Sequence, residues 1–426
     1  MLRNFSSSLL RSFCAAVAAV VLLVAPQAHA YSVLTHEQIV DLVWDDDIRP
    51  LLASRFPGLT DDQLRECHAY AYGGAVIHDV GYYPFGSHQF SDLVHYVRSG
   101  DFVLALIRSA QTADEYCFAL GSLAHYVSDV NGHPAVNESV ADLYPKLRQK
   151  FGSHVTYWQN KAAHLKTEFG FDVAQVAKQR YTSDTYHNFI GFEISKPLLE
   201  RVFPQVYGIE FKDAMAKEDL AIGTFRWSVS SVIPKMTKVA WATHKDEITK
   251  DRPDMAERVF LYHLSRAEYN KSWGNQYQRP GVGSRILAFF FRLLPKIGPL
   301  RALALRPPTP QTEDLYFKSV DATVANYKQL LHALRARAPL DLPNRDFDTG
   351  RDTRYSEYPL TDSTYSDLTV SLAKDNFQRT TPELRNNILQ FYSAAAAPKA
   401  VGKHAADLPD ALQKLRAWTP TATAKQ

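Results

Sequence analysis

The sequence predicts an all-α protein, a helical bundle followed by a mostly helical C-terminal extension. Three observations carry this expectation. Apolar residues recur at the 3.6-residue helical interval through DLVHYVR, DFVLALIRSA and ADEYCFALGSLAHYVSDV. Runs alternating with the period of two that a half-buried strand needs are scarce. Helix-start chemistry stands ahead of the first such segment: Thr35 reads as an N-cap and Gln38 as its capping-box partner, leading into Ile39, Val40, Leu42 and Val43.

Taken in order, residues 1–30 read as a secretory signal. Arg3 and Arg11 make the start positive, CAAVAAVVLLVA is apolar, and Ala28-His29-Ala30 is a small-residue cleavage pattern ahead of Tyr31. The apolar run is short for a membrane span, and RSFC around Cys14 does not form a lipoprotein box. The expectation is an exported chain, periplasmic or extracellular, that begins at Tyr31. Residues 31–250 read as one mostly helical domain and 251–397 as a helical C-terminal region. Within the latter, SRILAFFFRLLPKIGPLRALALRPPTP is apolar but broken by Arg292, Pro295, Lys296, Gly298 and Pro299, which argues against a transmembrane helix. Two core helices joined by a Pro-Gly turn are expected there, with a segment lying on a membrane surface as the alternative. YFKSVDATVANYKQLLHALRA reads as a further helix, 339–363 as loop, TPELRNNILQFYSAA as the last helix, and 398–426 as a flexible tail.

The net charge of +3 is spread along the chain, with no basic run of the kind that grips duplex nucleic acid. Removing the signal leaves Cys67 and Cys117. Two cysteines can pair after export but do not make a disulfide framework, and they lie far from the histidine pairs.

Histidines are concentrated in the first half of the expected mature chain. His125-x-x-x-Asp129-x-x-x-His133 stands in LGSLAHYVSDVNGHP, and His164-x-x-x-Glu168 in NKAAHLKTEFG. Residues four apart share one helix face, so an imidazole and a carboxylate can close on one divalent cation. Nitrogen and oxygen donors together suit zinc, without excluding manganese or iron. The apolar surroundings of His125 and Asp129 point both side chains inward, where each needs a cation or a partner; a structural His–Asp hydrogen bond is the plainer alternative. Gly132 and Pro134 suggest that the helix ends near His133. Upstream, His36 sits at a helix start, Asp79 in GGAVIHDVGYYPFG before a turn, and His95 on the amphipathic DLVHYVR. His88 competes with His95, and His78 is a weaker neighbour of Asp79. A freed amine and carbonyl at Tyr31 could chelate a metal, since that amine loses its proton near neutral pH. No serine-nucleophile elbow, phosphate-cradling glycine loop or CxxC pair competes.

This ordered set resembles the zinc-dependent phospholipase C superfamily, which includes bacterial phospholipases C, the catalytic part of GPI-specific phospholipase D and single-strand-specific zinc nucleases. The resemblance implies a three-zinc cluster held by Tyr31, His36, Asp79, His95, His125, Asp129, His133, His164 and Glu168. Asp79, His95, His125 and Asp129 would hold the first ion. Tyr31, His36 and a bridging Asp129 would hold the second, and His133, His164 and Glu168 the third. It also implies that zinc makes a water nucleophilic, with Asp79 as the catalytic carboxylate that orients the water or takes its proton. Tyr31 replaces the family's usual tryptophan, and the gap from Asp129 to His133 is shorter than in the secreted phospholipases, closer to the phospholipase D branch. The implied function is a secreted zinc-dependent phosphodiester hydrolase, foremost a phospholipase C acting on phospholipid head groups at a membrane surface. No duplex nucleic acid and no obligate protein partner is expected. The alternatives are a single-strand-specific zinc nuclease, with Tyr72, Tyr82, Tyr83 and Phe85 as a base-stacking pocket, and a non-catalytic envelope protein stabilised by zinc.

Overall fold

Helices make up nearly all of the regular structure among the described residues, and they pack around one long central rod. The computed structural model describes residues 33–83, 85–177, 192–227, 308–394, 404 and 406–419. The signal segment, Tyr31, the expected boundary near residue 250 and the apolar stretch from 284 lie outside them.

In chain order the helices are α1 (Val33–Val43), α2 (Arg49–Arg55), α3 (Asp61–Val76), α4 (His88–Tyr96), α5 (Ser99–Ser109), α6 (Ala113–Leu143), α7 (Pro145–Phe151), α8 (Lys161–Ala177), α9 (Lys196–Tyr207), α10 (Phe211–Ala214) and α11 (Glu218–Trp227). A π-helical turn, Trp44–Ile48, joins α1 to α2, and a 3-10 turn, Ile77–Tyr82, follows α3. Further along the chain come α12 (Pro310–Arg335), α13 (Pro359–Lys374), α14 (Pro382–Phe391) and α15 (Leu408–Ala417). Between α12 and α13 a two-stranded antiparallel ribbon pairs β1 (Arg345–Asp346) with β2 (Arg351–Asp352). No described helix is long and apolar enough to cross a membrane.

The rod is α6. Thr112 caps its start by accepting from the Glu115 N–H, which satisfies one of the donors that a helix start leaves over. On one side α3 lies so close that a Cβ added at Gly74 would sit 1.9 Å from Phe118 O, and one at Gly121 1.9 Å from Ala71 O. Glycine at those places lets two backbones touch, and that contact sets the depth at which the site residues meet. Cys67 and Cys117, both buried and free, stand on these same two helices, and the Cys67 thiol donates to Asp114 Oδ1 at 3.5 Å. On another side α12 lies along α6, and the buried Tyr327 donates to Leu120 O at 2.8 Å. The C-terminal region therefore shares the core of the first domain.

Four local expectations change. The first helix is already formed at Val33, so Thr35 is not its cap. Its hydroxyl donates instead to Asp172 on α8 at 2.6 Å, and the Leu34 N–H reaches the other oxygen of that carboxylate at 3.3 Å. Next, α6 does not end near His133 but continues through Pro134 to Leu143. Proline lacks the N–H that would have bonded Val130 O, and the notch is covered by a turn from the C-terminal region. A Cβ on Gly350, whose φ is +68°, would meet Val130 O at 2.4 Å. Glycine fits there for both reasons. Thirdly, the expected loop from 339 already contains the start of α13 at Pro359. Finally, the expected tail is ordered over α15, where Leu408, Ala411, Leu412 and Leu415 are buried. An apolar stripe at that spacing gains more from burial than the loose chain gains from entropy.

Candidate metal centre

Four elements deliver five polar side chains to one dry point beside the middle of α6. His36 comes from α1, Asp79 from the 3-10 turn, His95 from α4, and His125 and Asp129 from successive turns of α6. All five side chains are buried. Around Asp129 the approach is close: His125 Nε2 stands 3.1 Å from Oδ2, His95 Nε2 3.5 Å from Oδ2, His133 Nε2 3.7 Å from Oδ2, and His36 Nε2 3.5 Å from Oδ1. Asp79 Oδ1 lies 3.5 Å from His95 Nε2. Two overlapping triads, His36-Asp79-His125 and His95-His125-Asp129, bring one ligand atom each to within 4.8 Å of one another.

The rings are aimed from behind. His125 Nδ1 faces Ala75 O at 2.8 Å and His95 Nδ1 faces Ser91 O at 2.7 Å. A carbonyl can only accept, so each Nδ1 carries a proton and each Nε2 faces the cluster, where it offers a lone pair once any proton on it is lost. This is how protein histidines are prepared to ligate metals. The packing continues the theme: His125 stacks between His36 at 4.4 Å and His78 at 4.2 Å between ring centroids.

Whether this set fits a cation is tested by its buried polar atoms. His125 Nε2 and both oxygens of Asp129 are fully buried and make no hydrogen bond. Leaving such atoms without a partner costs about 1–3 kcal/mol apiece. A divalent cation among imidazole nitrogens and carboxylate oxygens satisfies them together. The electrostatics agree. Burial works against ionisation of Asp129, but His125, His133 and His95 outweigh it and hold the carboxyl well below its usual range. Burial, with His125 beside it, lowers His36 to about 4, so this ring is neutral and ready to ligate. For His95 burial again opposes the charge, yet its contacts with Asp129 and Asp79 win and raise it to about 10.

The remaining expected ligands form a second group one turn along. His133 and His164 face each other at 5.5 Å between ring centroids. His164 Nδ1 meets Glu168 Oε1 at 2.6 Å, and its Nε2 meets Asn137 Oδ1 at 2.8 Å. Asn137 donates through Nδ2 to Asp348 O, so its Oδ1 accepts from His164 and the proton of that ring sits on Nε2. Nδ1 then takes its hydrogen bond from Glu168, whose carboxyl is pushed well up by burial and by Asp79 and Asp129. Burial lowers His164 to about 4. The pair is neutral in the metal-free protein. His88, the competitor of His95, is exposed and stands away from the cluster against Tyr82.

Residues 35–217 match the family model described as zinc dependent phospholipase C. Over these residues the chain is similar to that family. Every expected ligand except Tyr31 falls within this segment. The family's members are typically zinc-dependent phosphodiester hydrolases. No curated protein and no solved structure gave a match.

Three residues beside the ligands were not legible beforehand, and His78 ranked only as a weaker neighbour of Asp79. Asn137 and Asp348 join the second group as above. Asp172, eight residues beyond His164 on α8, holds Leu34 and Thr35 and so anchors the segment that carries His36. His78 is fully buried against the ring of His125. The only advance signal was helical spacing, which places Asp172 and Asn137 on the same faces as His164 and His133.

A pH dependence follows from these protonation states. Zinc uptake at pH 7 is expected to release protons, because His95 and Glu168 carry theirs in the metal-free protein while His36 has none to lose. Ligands must be deprotonated to bind, so apparent affinity should rise with pH, roughly tenfold per unit for each proton released. Calorimetric titration in two buffers of different ionisation enthalpy counts those protons. A count of zero at pH 7 would contradict the assignment.

Proposed function

We propose that the mature chain is an exported phospholipase C that hydrolyses the phosphodiester of phospholipid head groups with three zinc ions. The observation that carries this reading is the buried donor set around His125 Nε2 and the Asp129 carboxylate, inside a segment similar to the zinc dependent phospholipase C family. Asp79, His95, His125 and Asp129 would hold the first ion, His36 with the amine and carbonyl of Tyr31 the second, and His133, His164 and Glu168 the third. Asp129 offers two oxygens to different histidines and is the residue placed to bridge two ions. When bound, zinc supplies charge stabilisation on the phosphate and a water acidic enough to attack phosphorus near neutral pH.

The protein's own groups do the rest. Asp79 Oδ1 borders the cluster and is the base we assign to orient the attacking water and take its proton. Ala75 O and Ser91 O keep His125 and His95 in the ligating tautomer. Asp172 fixes Leu34 and Thr35, next to His36. The exclusion of water around α6 strengthens every charge interaction there.

One observation favours lipid over single-stranded nucleic acid. A base-stacking platform needs open ring faces, but Tyr72, Tyr82 and Tyr83 are buried, and Tyr72 and Tyr82 bond Asp41 and Asp92. Among the four aromatic residues considered only Phe85, at 41 % exposure, faces solvent. Export and cleavage before Tyr31 remain part of the proposal, tested by the N-terminal residue of the secreted protein.

The test uses the secreted protein with its metal content measured. It is assayed on phosphatidylcholine, phosphatidylinositol and single-stranded DNA, with and without chelator. Release of diacylglycerol that chelator abolishes and zinc restores is expected. Cleavage of DNA with none of lipid would reverse the choice of substrate, and a zinc-replete protein inert on all three would favour a structural role. Extra residues ahead of Tyr31 should lower both zinc content and rate.

A further inference from the structure

We infer that Asp348, far outside the family segment, is the positioning residue for His133, so that the C-terminal region completes the metal centre. The inference rests on the zinc reading above. Four histidines send Nε2 towards Asp129, and for three of them an acceptor stands close behind Nδ1. For His125 and His95 that acceptor is a backbone carbonyl, Ala75 O or Ser91 O. For His133 it is a carboxylate: Asp348 Oδ1 stands 3.3 Å from Nδ1, and both side chains are fully buried. A carboxylate behind a ligating imidazole fixes the tautomer and makes the ring a stronger donor than a carbonyl does.

The surroundings of Asp348 are built to hold that carboxylate. Tyr96 donates to its Oδ2 at 2.9 Å, and Tyr358 donates to the same oxygen. Oδ1 is thereby left for His133. The turn around it is itself fixed. Asp346 accepts from the Thr349 N–H at 3.1 Å and from the Thr361 hydroxyl at 2.7 Å, and Gly350 seats the turn in the notch that Pro134 leaves in α6. Asn137 grips Asp348 O with Nδ2 and His164 with Oδ1. Both histidines of the second group are thus aligned by one turn that a family segment ending at 217 does not contain.

The experiment compares wild type, Asp348→Asn and Tyr358→Phe as full-length secreted proteins. Zinc affinity is measured by competition with a chromophoric chelator, and thermal midpoints are taken with and without zinc. Asp348→Asn keeps the shape but loses the charge. Its weakest-held zinc is expected to bind about 10–100-fold less tightly, the other ions as in wild type, and the rise in midpoint that zinc brings should shrink. Tyr358→Phe keeps the carboxylate but frees one tether, and a smaller loss of the same ion is expected. A merely structural Asp348 would lower both midpoints equally and leave zinc affinity unchanged, and that result overturns the inference. If Asp348→Asn does not fold, unchanged zinc affinity in Tyr358→Phe overturns it instead. A wild-type protein that binds no zinc would bring down the zinc reading and this assignment with it, whereas zinc-replete wild type with an unaffected Asp348→Asn rejects the assignment alone.

Discussion

Asp129→Asn is expected to lose zinc from the central cluster and to lower phosphodiester hydrolysis by roughly a thousand-fold or more, the scale seen when a main electrostatic group is removed from an active site. The reason is positional. Four histidine Nε2 atoms lie within 3.7 Å of its two oxygens, so no neighbouring carboxylate can replace it as a bridge. An amide of the same size offers one oxygen, no charge, and an NH2 that repels a cation. The metal-free protein should lose stability as well, because the histidines that hold the Asp129 carboxyl well below its usual range lose their charged partner. The informative comparison is therefore the thermal midpoint with and without zinc. Wild type should gain stability on zinc addition, and the variant should not. A variant with full zinc content and wild-type turnover would remove Asp129 from the mechanism.

Gly121→Ala should have the largest effect on the fold. The added methyl would lie 1.9 Å from Ala71 O and 2.8 Å from Ala75 N, well inside any allowed contact, and the obstacle is backbone that no rotamer can move. Helices α3 and α6 must separate. Overpacking of this kind costs about 1–3 kcal/mol, and more when backbone has to move. The damage should reach the site as well, since Ala75 O is the acceptor that aims His125 at the cluster. A fall in melting temperature of several degrees, with zinc held more weakly than in wild type, is expected from calorimetry and chelator competition. An unchanged melting temperature would mean that the two helices do not meet at Gly121.

The site was more legible than the frame around it. His125 and Asp129, and likewise His164 and Glu168, announce themselves by four-residue spacing, because a single helix converts sequence separation directly into geometry. Their rows could be read without knowing anything else about the fold. Pro134 misled for an equally local reason. Its missing N–H forbids one hydrogen bond but does not end a helix whose next two turns are buried, as Val136 and Val140 are. Thr35 has the chemistry of a cap, but the carboxylate of Asp172, 137 residues away, is the stronger acceptor for its hydroxyl. The stripe of Leu408, Leu412 and Leu415 was open to reading as a helix from spacing alone. What was missing was the surface of α13 that receives it.

The sequence by itself determined which residues can ligate, because donor chemistry and helical period are properties of the chain. It also determined an all-α architecture and a likeness to the zinc dependent phospholipase C family over residues 35–217. Only the tertiary structure decided what stands behind the ligands. Ala75 O, Ser91 O and the Asp348 carboxylate lie respectively 50, 4 and 215 positions from the histidines they face. The two distant ones depend on close helix contacts at Gly121 and on a turn seated over Pro134. Separations of that size carry no period. They are set by how α3, α6 and the C-terminal turn exclude water together, which is a property of the packed core and of no single segment.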